Sequence, residues 1–259
     1  MQTPATATPG TSLLPPGVSG NGVVDVDRLV GAHRTVITNQ SYTWQAHERT
    51  TGLRGNPTDA NVHYAARVAN ESTYRYFTNH RIVWRSGRPR SLGNYSEFAA
   101  RAARYAYYTD TENDTQYSRT DPSPARVRVG DIALSAIERY LPAANATVAV
   151  TRADGEPYYE LKGRGIDTPV AQGGVTNYTV RALIRPDGFV RSLTVRYRIA
   201  ASDRPRRVSY NYSYTDLGAT TVERPPWVSR QWGPDGGTVT TTGSDPLVER
   251  RSGSPTSPP

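Results

Sequence analysis

Three consecutive stretches near the C-terminal end alternate between apolar and polar residues, and this period of two constrains the fold more than any other feature of the sequence. Side chains alternate faces along a strand, so residues two apart share a face. In the first stretch Tyr178, Val180, Ala182 and Ile184 oppose Asn177, Thr179, Arg181 and Arg185, with Leu183 the apolar exception. In the second, Leu193, Val195, Tyr197 and Ile199 oppose Ser192, Thr194, Arg196 and Arg198, and Arg191 breaks the pattern beside the turn. In the third, Val208, Tyr210, Tyr212 and Tyr214 oppose Arg207, Ser209, Asn211 and Ser213. Pro186-Asp187-Gly188 supplies turn chemistry between the first two. The pattern is that of an antiparallel meander with one wet face and one apolar face.

The same signals recur upstream. Residues 41–118 carry Tyr, Trp, Val and Thr runs broken by Gly, Asn and Pro, which reads as β structure. Within it, residues 97–108 mix helix-favouring Ala and Arg with tyrosines and are read as strand. Further strands are expected near 146–152 and 157–163. Two helices interrupt the sheet. The first spans 23–37, with Asp25 as N-cap and Val26, Leu29, Val30, His33, Val36 and Ile37 on one stripe. The second is opened by Ser123-Pro124, carries Val129, Ile132, Ala133, Ala136, Ile137, Tyr140 and Leu141, and stops at Pro142. The expected fold is therefore α+β: a large curved antiparallel sheet of eight to ten strands, a half-barrel, with two helices packed on its concave face. Residues 23–232 form one domain in this reading. Residues 1–22 and 233–259, rich in Pro, Thr, Ser and Gly, form a disordered stalk and a disordered tail. Trp227, after two prolines, is expected to plug the edge of the sheet.

Composition narrows function mainly by exclusion. The chain has no cysteine, so disulfides, thiolate metal sites and cysteine nucleophiles are ruled out. Its histidines, His33, His47, His63 and His80, share no metal-ligand spacing, and no metal or other cofactor is expected. Asp110, Glu112 and Asp114 read as a solvated loop, and Glu138 and Glu160 fall in separate elements. The glycines at 163–165 and 172–174 read as turn residues without a strand-to-helix phosphate cradle. No nucleophile elbow is present. An enzyme is not expected. The formal net charge is +8, almost wholly from arginine, with Lys162 the one lysine. The arginines fall on the wet face of the meander without a recognised nucleic-acid module, so nucleic acid is not an expected partner.

One motif count points to location. Asn-X-Ser/Thr occurs seven times among 11 asparagines, at Asn39, Asn70, Asn94, Asn113, Asn145, Asn177 and Asn211. Chance co-occurrence would give about two such sequons, and the excess fits a chain exposed to a glycosylating compartment outside the cytoplasm. The Thr/Pro-rich beginning suits a stalk between an anchor and a domain.

With that layout assembled, the chain resembles a family of haloarchaeal surface lipoproteins of unassigned function. The resemblance lies in LPPGVSGNGVVDVDRLVGAHRTVITNQSYTW at 14–44, and in the run from NYTVRALIRPDGFVRSLTVRYRI through VSYNYSYTDLGATTVERPPWV. More distantly it is similar to the half-barrel lipoprotein carriers and the mycobacterial lipid-binding lipoproteins, which curve an antiparallel sheet around helices and can leave an apolar cavity between them. The chain departs from the family in lacking a signal and a lipid-modified cysteine, and in being basic. The resemblance implies a monomeric cell-surface protein, held at a membrane by an anchor not present in this chain. It also implies a lipophilic ligand between sheet and helices. Val195, Tyr197, Tyr210, Tyr212 and Tyr214 are the inner-face candidates, either for that ligand or for a filled core; the second alternative is a structural or adhesive envelope module.

Overall fold

A computed structural model of the chain describes residues 14–23, 25–52, 59–83, 89–100, 103–109, 114–166, 174–200 and 205–233. Two compact units divide it, Met1–Glu223 and Arg224–Pro259. The first begins with a small hairpin, β1 (Val18–Ser19) and β2 (Gly22–Val23), followed by α1 (Val26–Asn39). Then come β3 (Tyr42–Gly52), β4 (Asp59–Asn70), β5 (Thr73–Val83), β6 (Pro89–Ala100), β7 (Ala103–Thr109) and β8 (Thr115–Thr120). A π-helical turn (Arg126–Gly130) leads into α2 (Asp131–Tyr140). The chain continues through β9 (Asn145–Ala153), β10 (Glu156–Arg164), β11 (Val175–Ile184), β12 (Val190–Ile199) and β13 (Arg206–Thr215). Strands β3 to β13 form one antiparallel sheet of eleven strands in the order β8-β7-β6-β5-β4-β3-β13-β12-β11-β10-β9. It is an open half-barrel, and β8 and β9 are its edges.

The alternation in β11, β12 and β13 holds residue by residue. Tyr178, Val180, Ala182, Ile184, Leu193, Val195, Tyr197, Ile199, Val208, Tyr210, Tyr212 and Tyr214 are all buried. Asn177, Thr179, Arg181, Thr194, Arg196, Arg198, Arg207, Asn211 and Ser213 are all exposed. Residues 97–100 and 103–108 are strand, as their tyrosines suggest. Helix α1 starts where its cap places it: Asp25 Oδ1 accepts from the Arg28 N–H at 2.9 Å. Its buried stripe is Leu29, Val30, His33 and Ile37, and that of α2 is Ala133, Leu134, Ala136, Ile137 and Tyr140.

The sheet curls around these helices. Arg128 of the π-turn bonds Glu97 on β6, while the carbonyl of Tyr140 at the end of α2 accepts from Tyr178 on β11. Those strands lie six places apart in the sheet, about 29 Å if it were flat. Residues 128 and 140 span only about 18 Å of helix. Side-chain reach and curvature of the sheet around the helices close the difference.

Several expectations need correction. The large sheet has eleven strands rather than eight to ten. The least legible of them, β8, is exposed along its whole length and so has no apolar face to read. Ser123 does not cap a helix: its carbonyl accepts from the Tyr74 hydroxyl at 3.0 Å, and the π-turn precedes α2. Gly163 is not a turn glycine but lies within β10. A Cβ there would sit 2.6 Å from Ala143 Cβ and 2.8 Å from Val180 Cγ1, so only glycine fits. The stretch 1–22 contains the ordered hairpin at its end, with Pro15 and Val18 buried; residues 1–13 and 234–259 lie outside the described residues. A third helix, α3 (Pro226–Trp232), was not expected, and it belongs to the second unit. There Trp227 is only half-buried, with its ring centroid 6.2 Å from that of Trp232.

Candidate functional site

The inner face of the sheet is a continuous aromatic layer. Val195, Tyr197, Tyr210, Tyr212 and Tyr214 all belong to the hydrophobic core. Tyr140 of α2 meets Tyr210 at 5.3 Å and Tyr197 at 6.4 Å between ring centroids. Tyr214 meets Tyr42 at 5.3 Å and Phe189 at 5.0 Å, and the Tyr212 hydroxyl donates to the Val190 carbonyl. Burial pushes the ionisation of Tyr42, Tyr76, Tyr140, Tyr178, Tyr210, Tyr212 and Tyr214 well above the usual phenol range. His33 sits in the same layer as a packed residue, bonded to the Val190 N–H and to the Tyr214 hydroxyl. Among the described residues no group of acids and histidines is placed to hold a metal ion.

Two acids break the apolar character of this face, and sequence reasoning missed both. Glu97 on β6 is 0% exposed. It accepts from the Tyr74 hydroxyl at 2.7 Å, from the Tyr95 hydroxyl, and from Arg128 Nη2 at 2.7 Å and Nε at 3.2 Å. Burial alone would raise its pKa, but the bonds from Arg128 and the two tyrosines outweigh it and hold the carboxyl below the usual range. The cluster ties the helical layer to the sheet. Replacing Arg128 with Met should lower stability by about 2–3 kcal/mol, less than for a fully buried pair because a third of the Arg128 side chain is in solvent. Adding Glu97→Gln to that variant should recover part of the loss, since the buried charge, left with only Arg104 Nη1 at 3.8 Å as its cation, is then gone. Urea unfolding of both variants checks this; an unchanged midpoint for Arg128→Met would refute it.

The second acid, Glu48 on β3, makes no hydrogen bond or ion pair among the described residues. Its charge lies close enough to Tyr64, Tyr140, Tyr197 and Tyr210 to help raise their ionisation. It stands directly across from Tyr210, whose hydroxyl is buried without a partner among the described residues. Four residues away on the same face, the indole N–H of Trp44 is also buried without a partner among the described residues, and Trp44 is 0% exposed. Parity along residues 93–99 could have revealed Glu97, because it shares a face with Tyr95 and Ala99. Trp44 and Glu48 likewise share a face with Tyr42 and Ala46.

The sequon asparagines are on the other side of the energy balance, in water. Asn39, Asn70, Asn94, Asn145, Asn177 and Asn211 are all exposed, and Asn113 lies outside the described residues. Asn145, Asn177 and Asn211 belong to β9, β11 and β13. Asn177 takes a left-handed φ of 54° where the β11–β12 register shifts, a conformation asparagine tolerates better than most residues. Among the described residues no helix is long and apolar enough to cross a membrane.

No family model matches the sequence. No curated protein matches it either. Among solved structures, the chain is similar to a LolA superfamily protein from Nitrosomonas europaea, at 13% identity over 80% of this chain and 97% of that one, with a TM-score of 0.25. It is similar to a DUF1329 family protein from Desulfovibrio piger, at 11% identity over 77% and 93%, with a TM-score of 0.26. A third similar structure is a domain named for outer membrane lipoprotein sorting from Vibrio parahaemolyticus, at 7% identity over 80% and 98%, with a TM-score of 0.25. Similarity this low decides nothing about ligand or activity, so the half-barrel is established by the chain's own strand order and burial.

Proposed function

We propose that this protein is an exported, glycosylated surface protein that holds a lipophilic ligand between its sheet and its helices, without catalysing a reaction. The observation that carries the reading is a set of unsatisfied polar groups on the inner face. Among the described residues the Tyr210 hydroxyl and the Trp44 indole N–H are buried without partners, and the half-buried Glu48 carboxylate opposite Tyr210 makes no hydrogen bond or ion pair. Leaving a buried donor unsatisfied costs about 1–3 kcal/mol, and a layer selected only for packing would replace such groups with apolar ones. An amphipathic ligand satisfies them with its polar part while its apolar part lies among the tyrosines. Six exposed sequon asparagines support the export and glycosylation half of the reading.

A second reading, a structural envelope module without a small ligand, has its own support. Leu161, Ile184, Leu193 and Val195 on the inner face are 0% exposed and close-packed. Native mass spectrometry of protein purified from its own host separates the two. Mass beyond chain and glycans, removed by organic extraction, is the outcome expected for the carrier. A bare glycosylated mass would overturn the carrier in favour of the module. A mass without glycans would overturn the export reading.

A further inference from the structure

We propose that the outer face of β10, β12, β13 and β3 binds a linear acidic polysaccharide. The arginines of this face are not scattered. Strand register aligns Asn145, Arg164, Thr179, Arg196, Ser209 and Arg49 in one row across β9, β10, β11, β12, β13 and β3. All six are exposed except Ser209, which is half-buried. Guanidinium and hydroxyl thus alternate, with a positive charge on every second strand at intervals of about 9.6 Å. Beside this row, Arg198 on β12 stands directly opposite Arg207 on β13. Like charges in that position destabilise a sheet unless an anion lies between them.

The sheet neutralises this face only in part. Strands β11, β12 and β13 contain six arginines and no acidic residue. On β10 the carboxylate of Glu160 is engaged by Lys162 and Arg181. Arg49, Arg164, Arg196, Arg198 and Arg207 form no ion pair among the described residues. At the β9 end the row runs into a groove of about 840 Å³, lined by Asn21, Asn145, Lys162, Arg164, Thr179 and Arg181 among others.

The geometry selects among anionic partners. This face is the convex side of the sheet, opposite the helices, so a planar bilayer would touch it along a line only. The two rows also offer no apolar side chain to insert into a membrane. They carry no Tyr, Trp or Phe ring on which bases could stack, which argues against single-stranded nucleic acid. A polysaccharide chain can follow a convex surface. Its carboxylates or sulfates suit the bidentate guanidinium fork, and its hydroxyls suit the Thr and Ser side chains between the arginines.

Asn145 at the end of the row and Asn211 on the adjacent row, opposite Thr194 and His47, are both sequon asparagines, so a glycan on either would compete with the polymer. The test therefore uses the full chain both as isolated and after enzymatic glycan removal, with polygalacturonate as the probe. Binding is expected in at least one form, weakening by at least about tenfold between low and high salt as screening sets in. The variant Arg49→Ser/Arg164→Ser/Arg196→Ser should bind at least about tenfold more weakly while melting at the wild-type temperature, since exposed guanidiniums contribute little to folding. The control Arg28→Ser/Arg34→Ser/Arg126→Ser removes the same charge elsewhere and should bind like wild type. Absence of binding in both forms would overturn the proposal. So would an equal loss in the control, or tighter binding to a single-stranded DNA oligomer or to phosphatidylglycerol vesicles. The lipophilic ligand lies on the opposite face of the sheet, so failure of either reading leaves the other standing.

Discussion

Raising the pH above 10 should unfold this protein in a single steep step, with loss of β-sheet circular dichroism and tyrosinate absorbance at 295 nm rising together. Seven tyrosines, Tyr42, Tyr76, Tyr140, Tyr178, Tyr210, Tyr212 and Tyr214, are buried, and desolvation raises the ionisation of each. In the unfolded chain each ionises near 10. Above that pH the unfolded state releases protons that the folded state retains. The stability tied to these groups is thus fully present below 10 and is lost as pH rises toward their folded values. Each costs up to about 1.4 kcal/mol per pH unit, so seven together cost about 10 kcal/mol per unit. Domain stabilities of about 5–15 kcal/mol cannot survive much more than one such unit. Tyr95, raised to about 12 by burial and by its bond to Glu97, steepens the transition. A gradual tyrosine titration centred near 10 with the sheet signal intact would show that these rings are hydrated, and the dry inner layer would fall with it.

What the sequence disclosed and what it hid follow from the range of the interactions involved. The meander was legible because one face is wet and the other dry, so parity alone separates Tyr210 from Ser209 and Val195 from Arg196. Helix α1 was legible because its cap, Asp25, bonds a residue three positions on. The π-turn at 126–130 was not, since the stripe from Val129 to Leu141 fits ordinary helical spacing and the wider ring shows only in the backbone. Glu97 and Arg128 are 31 residues apart and meet only because the helical layer folds back onto the sheet. Gly163 reads as a turn glycine in isolation; its actual constraint comes from Ala143 and from Val180 on the neighbouring strand. The groups at Trp44, Glu48 and Tyr210, without hydrogen-bond partners among the described residues, share this limit. Parity places them on the inner face, but what they lack can be known only from what surrounds them.

Acidification should destabilise the folded state well before its carboxylates titrate, through His33. The ring is 0% exposed, 5.1 Å from Phe189 and nearly parallel to it. Nδ1 accepts from the Val190 N–H at 3.0 Å, which leaves the proton on Nε2, facing the Tyr214 hydroxyl at 3.2 Å. Burial lowers the pKa of this imidazole from 6.5 to about 3. Between those values the unfolded chain binds a proton that the folded chain refuses. The stability contributed by neutral His33 is therefore fully present above 6.5 and is lost at about 1.4 kcal/mol per unit as pH falls toward 3. The total, about 4–5 kcal/mol, is a large share of an ordinary domain's stability. Below the usual carboxylate range Glu97 adds to the loss, because its folded pKa is depressed as well. Urea unfolding at several pH values between 7.5 and 4.5 should give this slope for wild type. His33→Phe should be less stable than wild type at pH 7.5, where it strands the Val190 N–H, yet lose less stability on acidification, so that the two curves converge. Parallel curves would mean that His33 takes up its proton within the fold, which the bonds to Val190 and Tyr214 and the stacked Phe189 ring leave no room for.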